Sequence, residues 1–300
     1  MLRKYTYLVA LARERHFSRA AAACHVTQPT LSNAIRQLEE SLGVPIVERG
    51  QTFRGFTPEG ETVLAHARRM LAEQDALTQS LRARGTGLAG TARLGVIPTA
   101  LPAVAPLLAT VAARHPALRF VVRSLSSRDI ERGLHAYELD AGITYLDNEP
   151  LPAVRRVPLY TETPLFLCRR AADDPEPPGE GIPWAEAARH PLCLLTPDMQ
   201  NRRIVEAAFR AAGVAVDPAV ETASLITLFA LVQQGPWASI APSLLLSTMR
   251  PDPAVEARPL VAPSIRYSVG LVYADRDPTP PLVAALAAAA AGMSVPDGLG

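Results

Sequence analysis

Between His25 and Gly43 the chain reads HVTQPTLSNAIRQLEESLG, and Leu31, Ala34, Ile35, Leu38 and Leu42 recur at the spacing of a buried helical stripe. Thr27 supplies an N-cap, Pro29 sits in the first turn where its missing N–H is not needed, and Gly43 offers the left-handed stop. Ahead of it, Leu2, Tyr5, Leu8, Val9 and Ala12 predict a first helix. Ser18, with Phe17 as a staple, then caps a short helix over RAAAACH. The successive alanines of that helix let a neighbour approach closely. Two short β-like runs, 46–49 and 53–56, flank Gly50 and Gln51 and predict a wing. Thr57-Pro58-Glu59 opens a long helix expected to reach Leu88. Val63, Met70 and Leu77 recur every seven residues, as do Ala67, Gln74, Leu81 and Leu88, so the stripe asks for a partner helix.

GTGLAGT, residues 85–91, reads as a linker, after which the periodicity changes. Strand-like TARLGVIP, LRFVVRS and LDAGITYL alternate with the helical runs LPAVAPLLATVAARH and RDIERGLHAYE, the pattern of βαβ units around a mostly parallel sheet. After PLFLCRR and the loop DDPEPPGEG, a second set follows: PLCLL, QNRRIVEAAFRAAG, AVETA, LITLFALVQQG and WASIAP. SVGLVYAD and PLVAALAAAAAGM close the chain. The fold class expected is α/β behind an all-α front end. Its body has two lobes: lobe I from 91–160 and 266–293, and lobe II from 161–265. Extended crossings are expected near Val157 and Leu260, with a cleft between the lobes.

Charge changes this picture only in its distribution. Residues 1–84 hold 12 Arg plus Lys against 8 Asp plus Glu, and the remainder holds 18 against 21, so a front end of +4 precedes a body of −3. No apolar run reaches the ~20 residues a membrane span needs, and Arg13, Glu14 and Arg15 interrupt the amino terminus too early for a signal peptide. A cytoplasmic protein without membrane partners is expected. Cys24, Cys168 and Cys193 have neither CxxC nor zinc-like spacing, so no metal is expected; Cys168 and Cys193 sit in apolar strand-like runs as core residues, with a redox-sensing pair as the minor alternative.

The outward face of the helix after Thr27 carries short neutral hydrogen-bonding groups where a solvated helix would carry paired charges. Gln28, Ser32 and Arg36 step by four, with Pro29 and Asn33 beside them. Amide, hydroxyl and guanidinium groups match base edges in a major groove, and proline offers an apolar contact to a thymine methyl. Ser18, Thr27 and Thr30, near helix amino termini, suit phosphate; Arg19, Arg49 and Arg54 suit the backbone. No GxSxG, Walker loop or HExxH is present, so neither an enzyme nor a cofactor is expected.

FSRAAAACHVTQPTLSNAIRQLEESLGVPIVERGQTFRGFTPEG, residues 17–60, resembles the LysR-type transcriptional regulators, and its amino-terminal stretch is most similar to members linked to formate dehydrogenase operons. The resemblance implies a winged helix-turn-helix DNA-binding domain over 1–57, a linker and dimerisation helix over 58–88, and a periplasmic-binding-protein-like effector domain over 89–300. It implies a double-stranded DNA operator, a small-molecule effector, expected to be a small anionic metabolite, a homodimer assembling to a homotetramer, and RNA polymerase as a further partner. Hydroxyl-bearing strand ends are the places to look for the effector: Thr99 and Ala100, Ser126 and Ser127, Thr144 and Tyr145, and Thr196 with Asp198. Thr99 and Ser127 fall where effector-contacting hydroxyls occur in the family. Two departures stand out. The wing has Ile46-Val47 and only Arg49 and Arg54 where family members have Phe and several basic residues, and Tyr145 lies where several aromatic-acid-responsive members place an Arg. A solute-binding or small-molecule enzyme domain with a helical appendage is the competing expectation.

Overall fold

The computed structural model describes residues 1–48, 53–83, 87–149, 151–170, 181–249 and 251–293. Two compact units result, a head of Met1–Gly87 with His135–Glu138 and a body made of Leu88–Leu134 with Leu139–Gly300.

In the head, α1 (Leu2–Glu14), α2 (Phe17–Ala23) and α3 (Gln28–Leu42) share one core with the first turns of α4 (Pro58–Ala83). Leu31, Ala34, Ile35 and Leu38 are buried as the stripe on α3 requires, while Leu42 is 40% exposed. On α1 the buried set is Tyr5, Tyr7, Leu8, Ala10 and Leu11; the stripe is turned toward Leu11, and Leu2 lies outside it. Thr27 caps α3 by accepting the Thr30 N–H, and Gly43 closes it at φ 72°. Ser18 is not the cap of α2: His16 is extended there and its Nδ1 accepts the Ser18 N–H at 3.2 Å, so the helix starts two residues earlier. Of the expected wing, Val47 and Phe56 form a single antiparallel bridge, and residues 49–52 lie outside the described residues.

Thr57 ties the start of α4 twice. Its hydroxyl donates to the Pro45 carbonyl at 2.6 Å and its Oγ1 accepts the Gly60 N–H at 2.9 Å. This brings the α4 backbone against Ile46 so closely that a Cβ on Gly60 would stand 2.0 Å from the Ile46 carbonyl oxygen. Backbone cannot rotate away as a side chain can. Gly60→Ala is therefore expected to destabilise the head by ~1–3 kcal/mol; a thermal denaturation midpoint equal to wild type would contradict this. Beyond that junction Val63, Leu64 and Ala67 pack on the head, and Met70, Leu77 and Leu81 emerge from it at 37, 62 and 64% exposure. Leu88, expected on the same stripe, is instead buried in the core of the body.

Lobe I of the body contains β1 (Gly90–Val96), α5 (Leu101–Arg114), β2 (Leu118–Ser124), α6 (Ser127–His135), β3 (Ala141–Tyr145) and β4 (Val154–Glu162). Lobe II contains β5 (Pro164–Arg169), β6 (Ile182–Pro183), α7 (Trp184–Ala187), β7 (Leu192–Leu195), α8 (Gln200–Ala211), β8 (Val220–Thr222), α9 (Leu225–Gln234), β9 (Ala238–Pro242), α10 (Ser243–Thr248) and β10 (Val255–Val261). The chain then returns to lobe I as β11 (Tyr267–Ala274) and α11 (Pro281–Ala291). The sheets run β2-β1-β3-β11-β4 and β6-β10-β5-β9-β7-β8. In each, a parallel βαβ half, β2-β1-β3 or β9-β7-β8, is extended through antiparallel pairings, with β6 joining β10 in parallel at the far edge of the second sheet, so the sheets are mixed. The first crossing between lobes falls at Thr163, later than Val157, because β4 pairs with β11 along its whole length; the second spans residues 262–266.

The apolar runs explain where each core sits. Strands buried on both faces need no polar alternation, and β3, β7 and β9 are buried throughout. In lobe II, Trp184 is fully buried edge-on to Phe209, with its indole N–H donating to the Pro263 carbonyl at 2.8 Å. Period two sends Phe166, Cys168, Leu192 and Leu194 to one face of that sheet and Leu165, Leu167, Cys193 and Leu195 to the other. No helix among the described residues is long and apolar enough to cross a membrane.

Candidate nucleic-acid interface and effector cleft

Pro29 and the Thr27 cap set the amino terminus of α3, and the α2–α3 core holds its buried stripe, so the opposite face is free of the head's own packing. Gln28, Pro29, Thr30, Asn33 and Arg36 are exposed, and Ser32 is half-buried. The Gln28 amide donates to Ser32 Oγ at 3.3 Å, and the Thr27 and Thr30 hydroxyls pair at 2.8 Å. These side chains form one continuous neutral polar surface ending in the Arg36 guanidinium. Ser18 is exposed nearby in sequence on α2. Arg19 is partly engaged: its guanidinium donates to the Glu14 carbonyl at 2.6 Å, closing the end of α1. Arg54 is exposed, and Arg49 lies outside the described residues.

In the body a small cleft opens at the carboxyl ends of β1 and β3. Thr99, in the 3-10 turn Pro98–Ala100, meets Tyr145 at the end of β3 and Ser127 at the start of α6. Lobe II closes the cleft with Met199, Gln200 and Asn201, the first residues of α8 and the one before it. Thr99, Ser127, Thr144 and Tyr145 are all nearly inaccessible. The Thr144 hydroxyl donates to Ser127 Oγ at 3.0 Å, and Ser127 donates to Gln200 Oε1 at 2.6 Å. Asn201 Nδ2 donates to the Tyr145 hydroxyl at 3.1 Å. Tyr145 in turn donates to Glu162, a residue of β4 that is 2% exposed. Burial raises the Glu162 carboxyl to about 7, against the smaller stabilisation its anion gains from Tyr145. Burial first, and the nearby Glu162 second, push the Tyr145 phenol well up.

Not every expected effector residue joins this cluster. Ala100 is fully buried and packs in the lobe I core. Ser126 lines the cleft but its hydroxyl is spent on Asp129, whose N–H it also accepts, as a helix cap does. Asp198 is exposed, and Thr196 stands away from the cleft with a buried hydroxyl that has no hydrogen-bond partner among the described residues. Gln200, Asn201 and Glu162 were not anticipated. Parity could have flagged Glu162, since the alternation along β4 turns Tyr160 and Glu162 inward together. Gln200 and Asn201 carried no such signal, because polar residues in a first helical turn are ordinary.

Such an arrangement, a helix that presents base-matching groups and a separate two-lobed body clasping a small polar cleft, defines a ligand-responsive DNA-binding regulator. The chain belongs to the LysR family: residues 2–61 match the bacterial regulatory helix-turn-helix protein of the lysR family, and residues 85–293 match the LysR substrate binding domain. It is a DNA-binding transcriptional regulator with an effector-binding domain. Among its relatives, the DNA-binding transcriptional dual regulator OxyR of Escherichia coli is 32% identical over 278 residues, covering 92% of this chain and 90% of that one. The hydrogen peroxide-inducible genes activator of Dickeya chrysanthemi is 31% identical over the same span. Among solved structures, full-length OxyR of Pseudomonas aeruginosa with a cysteine-to-aspartate substitution is 29% identical, with a TM-score of 0.77 over 98% of this chain and 99% of that one. CbnR bound to its target DNA shares the fold at 21% identity and a TM-score of 0.66, over 97% and 98% of the two chains.

Proposed function

We propose that the chain is a cytoplasmic regulator that reads a two-half-site operator through the exposed face of α3 and pairs with a second copy through α4. It takes a small-molecule effector in the cleft between its lobes. In this division, residues 1–57 bind DNA, the helix that follows joins two copies, and the remainder senses the effector. Higher assembly to a tetramer and contact with RNA polymerase would follow from the same arrangement.

The observation that carries the reading is the contrast on α3. One face is buried, and the other offers Gln28, Ser32, Asn33 and Arg36 without the paired charges that keep an ordinary surface helix soluble. Gln28→Ala is expected to weaken operator binding by ~1–3 kcal/mol and to leave binding to random DNA nearly unchanged. Footprinting on the DNA upstream of its own gene would supply the operator. Equal losses on both DNAs would mean that α3 does not read bases.

Several relatives are named for induction by hydrogen peroxide, so a thiol-based signal must be weighed. Cys24 belongs to the head, and Cys168 and Cys193 face opposite sides of the lobe II sheet with β9 between their strands. A disulfide needs Cα atoms within about 7 Å and Cβ vectors that converge. Joining Cys168 to Cys193 would require dismantling the sheet, so the signal is assigned to the cleft.

A further inference from the structure

Building on the assignment of the cleft as the effector site, we propose that its effector is a small uncharged molecule recognised through hydrogen bonds it donates, and not a carboxylate. The cleft makes this choice by the direction of its hydrogen bonds. Tyr145 has one hydroxyl proton and gives it to Glu162 Oε1. With that proton spent, the Tyr145 oxygen can only accept, and it does so from Asn201 Nδ2 at 3.1 Å. Thr99 Oγ1 lies 3.2 Å from the same oxygen and must therefore be the donor of that pair. Its proton too is turned inward. Ser127 has given its proton to Gln200 Oε1 and accepts from Thr144. Every one of these hydroxyl protons is already committed within the protein, so Thr99, which lines the cleft, meets a ligand with lone pairs.

Charge points the same way. The residues lining the cleft are all neutral, and the ionisable group nearest to them through the Tyr145 hydroxyl is the Glu162 carboxyl. The arginines at the start of α8 are engaged elsewhere. Arg203 holds Glu149 with two hydrogen bonds, and Arg202 bonds Glu206, Glu221 and the Leu195 carbonyl. An anion entering this cleft would find the hydroxyl protons of Thr99, Tyr145, Thr144 and Ser127 spent and no cation among the lining residues, with the Glu162 carboxyl bonded to the Tyr145 hydroxyl. The expectation of an anionic metabolite, natural for strand ends that lead into helices, is reversed by where the protons go.

Acetamide and acetate have nearly the same shape and differ in this property alone, one carrying N–H donors and the other a negative charge. Saturation-transfer NMR on the full-length protein, well above neutral pH so that Glu162 is ionised, would compare them directly. Acetamide is expected to bind about tenfold more tightly than acetate. Tyr145→Phe ends the relay and returns the Thr99 proton to the cleft, and Thr99→Val removes the lone pairs offered there. Each is expected to shrink the preference to about twofold or less. Acetate binding as tightly as acetamide, a signal from neither probe, or a preference unchanged in both variants would overturn the proposal. The footprinting test on DNA stands apart from these outcomes: a protected operator alongside bound acetate would remove this inference and keep the regulator.

Discussion

Replacing Leu77 and Leu81 together by glutamate is expected to leave the protein monomeric and to lower its affinity for a two-half-site operator by ~10²–10⁴-fold, the range by which tethering a second binding module raises avidity. Both side chains are more than 60% exposed, one turn apart on α4, and Met70 continues the line one heptad earlier. A helix of about 40 Å that leaves its head after Leu71 and carries bare leucines has no internal use for them. The cost should appear in assembly and not in folding, because exposed leucines contribute little to the core. Light scattering after size exclusion reads the first effect and a mobility shift on the operator reads the second. A dimer that survives the substitution, or one lost without weaker DNA binding, would refute the role assigned to α4.

The second large effect concerns pH. A carboxyl whose native value is raised to about 7 from an ordinary 4.5 binds a proton more tightly when folded than when unfolded. Below about pH 4.5 both states are protonated and the group costs nothing. As pH rises from there to about 7, the unfolded chain loses the proton first, and native stability falls until the folded carboxyl has ionised too. The groups facing Glu162, the hydroxyls of Tyr145, Tyr160 and Tyr267, stay neutral across this window because their phenols are raised. Glu162→Gln cannot ionise. Between about pH 4 and pH 8 its stability is expected to gain about 3 kcal/mol on wild type. Parallel denaturant titrations at the two pH values measure that difference, and an offset that does not change with pH would show that Glu162 is not buried as described.

How far the sequence could be read depended on whether the information was local. Thr27, Pro29 and Gly43 bounded α3 correctly because capping is decided by a few neighbouring residues, and the four-residue rhythm of Gln28, Ser32 and Arg36 fixed the exposed face. The start of α2 was misplaced for the same reason turned around: Ser18 is the better capping residue by type, but extended backbone at His16 gave the imidazole the role. Leu88 fitted the heptad arithmetic of α4, yet the helix is described only to Ala83 and Leu88 serves the other unit. In the body, alternating strands and helices revealed two lobes, and the hydroxyls at strand ends located half of the cleft. Its other half comes from α8, some fifty residues beyond Tyr145, and no short-range pattern could show that Asn201 and Gln200 would close over lobe I. Only a tertiary structure could reveal the proton relay, because it joins residues from β3, β4, the turn after β1 and α8.

The two lobes are tied covalently at two places, Thr163 and residues 262–266. In mechanical terms, a body pinned at two points turns easily only about the line through them, while twisting and sliding strain the pins. The hydrogen bonds of α8 to Tyr145, Ser127 and Glu149 add a third, non-covalent tie between the lobes. A molecule of a few atoms that loosens or tightens that tie would act on a connection between the lobes that, unlike the two crossings, is not a peptide bond.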